Sequence, residues 1–431
     1  MSIFIRVGLL FLPFAWLITG GIYDRYMLFL GSAGVLFTVV HIKKLRSLTS
    51  CWPSILGTII WIAASVMFSW QEEDNIYPNK SAFFGCAYGL GAGICLAHYY
   101  RMNRPDWTLS AYLAVGLGLV ILAVYVLRVG NVEIEASVEN GNAVRSLKDT
   151  DAVQYLRFFT IGNPMIWLVP YITFGMGFPL LLLFPVRWFH YPFILVAAAG
   201  GLLVTLKLQT RMGFVAVALA SAIVGSAIFI HGSGHMRGAR KWTILSFLGI
   251  LFCVGIGVAL TIPEVQSFID RLQSSTRDSR LDLWAEAWSA ICQRPFGGGF
   301  QLMGLIVWAH NLFLDFALIN GIAGLASVLL IYVPALWTLA SIIRIRHLMN
   351  NPLVVILCNG FLSTFVIALI NPPFVSFTVF CYIFTGFGIE LLSKSSNLVP
   401  GIQSDPGARI PSGRLSPVGA WERTTLGSES H

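Results

Sequence analysis

Charged side chains are scarce in this 431-residue chain, at 11% of the residues, whereas 56% of the residues are hydrophobic. A soluble protein could not cover so much apolar surface with so few charges. Many apolar runs also reach the roughly 18 residues needed to span a bilayer as a helix. Composition therefore predicts an all-α polytopic membrane protein. The net charge of +8 does not indicate nucleic-acid binding, because most Lys and Arg residues lie in short loops between apolar runs, where they orient helices.

Cysteine is also infrequent, and its spacing forms no pattern. The seven cysteines lie mostly inside apolar runs, and they match neither a disulfide framework nor a zinc site. The sequence has no Gly-x-Ser-x-Gly hydrolase elbow and no Walker phosphate loop. We therefore expect no metal ion and no other cofactor. No small-residue cleavage pattern accompanies the first apolar run, 3–20, so this run predicts a retained helix and not a removed signal peptide.

Twelve apolar runs divide the chain and predict about twelve transmembrane helices. The runs lie at 3–20, 26–41, 52–70, 81–99, 107–127, 164–186, 188–206, 212–231, 241–262, 312–343, 353–371 and 374–392. Residues 1–262 would hold nine helices and an outer loop at 128–163, and residues 312–393 would hold three. The alternate short loops are basic, so the positive-inside rule places both termini in the cytoplasm. Residues 394–431, rich in Ser, Pro and Gly, predict a disordered cytoplasmic tail.

A large outer loop at 263–311 holds the densest polar sequence of an otherwise apolar chain. Its middle, 281–294, has helical spacing, and we expect this loop to contain surface helices. The residues that can share one face of this helix are Trp284, Trp288 and Ile291. Pro295 stops the helix, and the three glycines at 297–299 free the chain to turn back toward the membrane. We predict that this loop carries the reaction.

The large outer loop contains one histidine, His310. In the predicted topology His310 alone faces outward, and the other seven histidines lie on the inner side. Imidazole moves protons near neutral pH, so His310 is a candidate general base. The alternative is an interfacial residue that only caps the helix beginning near Asn311. Asp315, one turn further on, could orient His310 or cap the first turn of that helix.

Arginine and lysine on the outer side oppose the usual orientation bias. Lys207 and Arg211 lie in a very short outer turn, and Arg277 and Arg280 lie in the large loop. The guanidinium fork suits phosphate oxygens, so Arg211 with Arg280 or Arg277 could hold a diphosphate. Arg280 lies at the N-terminus of a predicted helix, where the helix dipole disfavours a cation. Its presence there favours the interpretation that it binds an anionic ligand. The alternative is snorkelling to outer lipid head groups.

These residues together resemble the signature of the O-antigen ligase and polymerase superfamily. The short turn Thr210-Arg211-x-Gly213 is similar to the family's other arginine motif, with Thr210 where Ser is frequent. The twelve-helix layout with one dominant late outer loop also agrees with the family. The residues that carry the main resemblance are Arg280, Trp284, Pro295-Phe296-Gly297-Gly298-Gly299, His310-Asn311-x-x-Leu314 and Gly321.

The resemblance implies a glycosyltransferase of the Gram-negative inner membrane whose outer loops are periplasmic. Its donor would be a glycan on undecaprenyl diphosphate, and the ligase branch would transfer that glycan to a hydroxyl of lipid A-core. His310 would be the catalytic residue that deprotonates or orients the acceptor, while Arg211 and Arg280 would bind the diphosphate. Arg277, Lys207, Asn311, Trp284 and Asp315 are possible supporting residues. Transfer would be metal-independent and would invert the anomeric carbon.

Other members of the same superfamily remain open alternatives. A polymerase would use a second undecaprenyl-linked repeat as acceptor, and a protein O-oligosaccharyltransferase would use Ser or Thr. Having one large late outer loop and a smaller one at 128–163 favours the ligase. A lipid-linked glycan transporter is a further alternative, but the apolar runs carry few ionisable residues of the kind that coupled transport needs. The oligomeric state is left open.

Overall fold

The computed structural model describes eleven parts of the chain. They are residues 25–69, 79–102, 134–139, 142–147, 178–184, 187–207, 211–231, 279–302, 309, 311–369 and 375–395. The helices of these parts are α1 (Arg25–His41), α2 (Leu45–Thr49), α3 (Trp52–Ser69), α4 (Asn79–Met102), α5 (His190–Lys207), α6 (Arg211–His231), α7 (Ser279–Gln293), α8 (Leu312–Arg344), α9 (Arg346–Met349), α10 (Pro352–Ala368) and α11 (Val375–Ser395). The predicted helical class is thus confirmed for the described residues, apart from one β-hairpin.

The apolar runs of the sequence correspond closely to these helices. Eight of the twelve runs coincide with α1, α3, α4, α5, α6, α8, α10 and α11. The runs at 3–20, 107–127 and 241–262 lie outside the described residues, as does the tail from 396 onward. The run at 164–186 is described only at its end, where Phe178–Leu183 forms a 3₁₀ helix. Pro179 lies in that short helix and has no N–H to donate.

α8 is the one helix of the described chain that is long and apolar enough to cross a membrane. The shorter apolar stretches within the described helices are Gly31–His41, Trp52–Met67, Ala216–Ile230, Pro352–Ala368 and Thr378–Ser393. A helix of this length and composition is compatible with membrane association.

The hairpin falls in the region that the sequence analysis treated as an outer loop, 128–163. Strand β1 (Ile134–Glu139) pairs antiparallel with strand β2 (Asn142–Leu147), and Glu139 lies opposite Asn142. The two residues between the paired ends are Asn140 and Gly141 in the sequence. Asn-Gly is the dipeptide most favourable to a two-residue hairpin turn, so the sequence did contain a signal for this pairing.

Glycines allow several of the long helices to pack at short range. A Cβ added to Gly57 of α3 would lie 2.7 Å from the carbonyl oxygen of Ser327 in α8, which is closer than a real side chain allows. Added to Gly93 of α4, it would overlap the backbone of α11 at Ile383. Such close approach increases dispersion contacts between helices without needing a hydrophobic driving force. α3, α4, α8, α10 and α11 contribute to one buried apolar cluster.

A buried ion pair joins the segment after α1 to α11. Lys44 Nζ lies 2.8 Å from Glu390 Oε1, and the Glu390 side chain is fully buried. Ser47 Oγ donates a hydrogen bond to the other carboxylate oxygen of Glu390. Buried charges need both a partner and hydrogen bonds, and Glu390 has both. The pair therefore fixes α11 against the segment between α1 and α3, which contains α2.

Candidate functional site

α7 lies in the described part of the large loop, and it packs on the first half of α8. It runs from Ser279 to Gln293, as the helical spacing of 281–294 predicted. The residues that form this interface are Ala287, Ala290, Ile291, Ala317 and Leu318, with Leu283, Trp284, Leu314 and Leu325 at its edge. Trp284 and Ile291 thus share a face, as predicted, but Trp288 is 60% exposed. Trp288 lies only about 40° around the helix from Trp284, as the spacing predicted, but this rotation is enough to turn it away from α8.

A tight turn follows α7 and ends it where the proline and glycines predicted. Arg294 N–H donates to the carbonyl of Ala290, and Gly297 N–H donates to the carbonyl of Arg294. Gly297 and Gly298 have φ of 127° and 73°, a backbone region that L side chains rarely adopt. The glycines are therefore required at these positions to turn the chain back toward α8.

Gly321 breaks α8 at the point where that turn docks. It has φ 62° and ψ −150°, so the helical hydrogen bonding is interrupted there. Ile322 N–H donates to the Pro295 carbonyl at 2.8 Å, and Gly298 N–H donates to the Ile319 carbonyl at 3.0 Å. The turn thus satisfies backbone groups that the break frees. Because of these bonds, the large loop is attached to α8 by main-chain contacts as well as by side chains.

Asp315 holds the backbone on both sides of position 310. Its Oδ1 accepts from Ala309 N–H at 2.6 Å, and its Oδ2 accepts from Asn311 N–H at 2.9 Å. The side chain is fully buried. Of the two predicted roles of Asp315, the observed contacts agree with capping the first turn. They resemble a capping box in which the acidic residue lies one position further into the helix than usual. His310 itself lies outside the described residues.

Asn311 is the N-cap of α8. Its Oδ1 accepts from Phe313 N–H at 3.0 Å and from Leu314 N–H at 3.2 Å. Its Nδ2 donates to the Leu369 carbonyl at 3.0 Å, just after α10. The cap therefore satisfies the first helical N–H groups and also ties the start of α8 to a second helix.

Trp284 connects α7 to the same segment. Its Nε1–H donates to the Ala309 carbonyl at 2.9 Å. Ala309 is thus held at its N–H by Asp315 and at its carbonyl by Trp284. Trp284 was predicted as a shared-face residue and a possible supporting residue, but its role as a hydrogen-bond donor to Ala309 was not predicted. A half-buried indole N–H needs an acceptor, and this requirement was the available signal.

The predicted basic residues are described only in part. Arg280 is the second residue of α7, Arg211 is the first residue of α6, and Lys207 is the last residue of α5. Their side chains and the whole of Arg277 lie outside what the structure describes. The geometry therefore tests neither the diphosphate clamp nor its distance from position 310.

Arg280 lies on the same helix as Trp284, whose indole holds Ala309. The two residues are four positions apart on α7, a separation of about 6 Å along a helix axis.

Among the described residues, no group of three or more His, Cys, Asp or Glu side chains could hold a metal ion. No protein-family model matches the chain, and no curated protein is similar enough to be counted as a relative.

Proposed function

We propose that this chain is an O-antigen ligase that transfers a glycan from undecaprenyl diphosphate to lipid A-core. One juxtaposition supports the proposal most. The short segment around position 310 is fixed by Asp315, Asn311 and Trp284, and the helix that carries Trp284 also carries Arg280. A base and a diphosphate-binding cation must lie near one another in such a transfer. That Trp284 and Arg280 share α7 supports pairing Arg280 with position 310.

The proposal includes a multi-pass chain in the bacterial inner membrane with both termini cytoplasmic and the large loop periplasmic. The length and apolar composition of α8 support membrane placement. The basic character of the alternate short loops supports the orientation. A lipid-linked donor would then reach the loop from within the bilayer, and the break at Gly321 lies where the loop meets the helix.

The reaction needs one proton transfer and one displacement. His310 accepts the proton of a hydroxyl on lipid A-core, and that oxygen attacks the anomeric carbon of the donor sugar. The bond from this carbon to the diphosphate oxygen breaks, so undecaprenyl diphosphate leaves and the anomeric configuration inverts. Arg211 and Arg280 offset the charge that develops on the leaving group, with Arg277 or Lys207 available beside them. No metal ion is called for in this scheme.

The first experiment replaces His310 by Ala in cells that lack the native protein. Lipopolysaccharide is examined by gel, the undecaprenyl-linked glycan is extracted, and glycoproteins are stained. His347→Ala is the matched control because His347 is an exposed histidine of α9, remote in sequence from the large loop. Membrane expression of both variants is measured first.

Three outcomes separate the members of the superfamily. Loss of the long-chain ladder, with long glycan left on undecaprenyl diphosphate, agrees with the ligase. Accumulation of single repeats identifies a polymerase, and loss of glycoprotein with an intact ladder identifies a protein transferase. If His310→Ala behaves like His347→Ala in every assay, the proposed base is wrong.

A further inference from the structure

The exposed surface of α7 is divided into two stripes of opposite character. One stripe is polar, and its members recur at four- and three-residue spacing: Asp282, Glu286, Ser289 and Gln293. The other, the apolar stripe of α7, has the same spacing and consists of Leu281, Ala285, Trp288 and Cys292. At 100° per residue the two stripes lie about a quarter turn apart. The third side of the helix is the one that packs on α8.

A further exposed apolar side chain follows α7, after the exposed Gln293 and Arg294. Phe296, in the turn after α7, is 77% exposed. It adjoins α8 at the break, since the preceding residue, Pro295, accepts the Ile322 hydrogen bond. Ile322 is itself 60% exposed. Phe296 therefore joins the exposed surface of the large loop to that of α8.

α8 carries its own exposed apolar stripe from this point. The members of the apolar stripe of α8 are Ile322, Leu329, Val333 and Trp337. The part of α8 that bears them, 322–344, is about 35 Å long at ~1.5 Å per residue. That length crosses a hydrocarbon core of about 30 Å. The first part of α8, before Gly321, is then left at the membrane surface, and this is the part on which α7 packs.

We propose that α7 is an interfacial helix, with its apolar stripe and Phe296 immersed in the outer boundary of the lipid bilayer. Each side of the helix then meets a medium that suits it: protein at α8, water at the polar stripe, and lipid at the apolar stripe. Trp288 has the apolar ring and polar N–H that favour this boundary. The lipid assignment rests on exposed Phe296 and Ile322, which adjoin each other and lead from the large loop to the apolar stripe of α8, the helix of membrane-spanning length.

This inference rests on the membrane placement in the proposed function, but not on the proposed reaction. Its consequence for that reaction is steric. The helix that bears Arg280 and Trp284 would lie in the plane through which a lipid-linked diphosphate moves. A donor could therefore reach the loop without leaving the bilayer.

Spin labels on single cysteines test the position of α7 directly. The full chain, with its native cysteines replaced, carries Trp288→Cys on the apolar stripe or Ser289→Cys on the polar stripe. These neighbours on one helix form a matched pair, because both side chains are exposed. Val333→Cys on α8 reports the membrane core, and Leu281→Cys serves as a second position on the apolar stripe. Labelled protein is placed in nanodiscs of phosphatidylethanolamine and phosphatidylglycerol, and collisions with oxygen and with a water-soluble nickel chelate are measured.

We expect oxygen collisions to dominate at positions 281, 288 and 333, and nickel collisions to dominate at 289. Position 288 should be shallower than 333. Equal exposure of 288 and 289 to nickel would overturn the inference, because α7 would then lie in water. Shielding of 288 from both reagents would also overturn it, in favour of a protein partner or a second copy. Nickel exposure at 333 would instead refute the membrane placement in the proposed function.

Discussion

Replacing Gly321 by Ala should detach the large loop from α8. The glycine has φ 62° and ψ −150°, a conformation almost confined to glycine. An added Cβ would overlap the Pro295 carbonyl oxygen and the Phe296 carbonyl carbon, and it would lie 2.6 Å from Gly297 N. All three atoms belong to the backbone, so no rotation of a side chain can relieve the overlap.

The expected loss of stability follows from two contributions. A non-glycine residue in this conformation costs roughly 1–3 kcal/mol. Separation of the turn also breaks the bonds from Ile322 N–H to the Pro295 carbonyl and from Gly298 N–H to the Ile319 carbonyl. Each bond contributes about 1 kcal/mol net. The total is about 4 kcal/mol, a large fraction of the roughly 5–15 kcal/mol that stabilises a typical protein.

The assay compares Gly321→Ala with Gly34→Ala by denaturant unfolding in detergent and by limited proteolysis. Gly34 is an exposed glycine of α1 with nothing within 4 Å of an added Cβ. Its replacement should be neutral or stabilise by up to about 1 kcal/mol, through helix propensity. Gly321→Ala should unfold at lower denaturant and be cleaved faster in α7. Equal stability and equal cleavage of the two variants would refute the role assigned to the break.

Three other predictions concern the site, the ion pair and the reaction. Asp315→Asn keeps one acceptor and loses about 2 kcal/mol of hydrogen bonding to Ala309 or Asn311. Position 310 is then held less firmly, so turnover should fall, by at most about thirtyfold when the whole of that energy is lost from the transition state. The exposed Asp282→Asn should leave turnover unchanged, and equal rates for the two variants would contradict the positioning role of Asp315. Glu390→Gln leaves Lys44 without its buried partner, so unfolding free energy should fall by about 3 kcal/mol, and an unchanged value would show that the pair contributes nothing. Glycan transfer by purified protein should survive EDTA, whereas loss restored by Mg²⁺ would exclude the metal-independent scheme.

The parts predicted correctly depend on interactions close in sequence. Apolar runs predicted eight helices correctly. An α-helix pairs its backbone N–H and C=O groups within one segment, so its formation requires no distant partner. The spacing of 281–294 predicted α7, and Pro295 with the glycines predicted its end. Asn311 was expected to begin α8, and its side chain caps the first N–H groups. Each of these outcomes is decided within a few residues.

The parts that were missed depend on distant partners or on small differences in direction. Gly321 lies inside an apolar run, where a glycine is ordinarily tolerated. The break in α8 at this glycine is filled by the turn that begins at Pro295, which is distant in sequence. Trp288 could not be separated from Trp284 by periodicity, because four residues turn a helix by only about 40° beyond a full turn. The hairpin at 134–147 carried a local Asn-Gly signal that the sequence analysis overlooked.

The sequence by itself determined the helical class, the place and ends of the main helices, and the residue types available for chemistry. It did so because helix formation and apolar length are properties of contiguous residues. Only the tertiary structure decided that Asp315 and Trp284 both hold Ala309, that Glu390 meets Lys44, and that the turn after α7 occupies the break at Gly321. These contacts join residues whose proximity depends on how whole helices pack, and no local pattern encodes that packing.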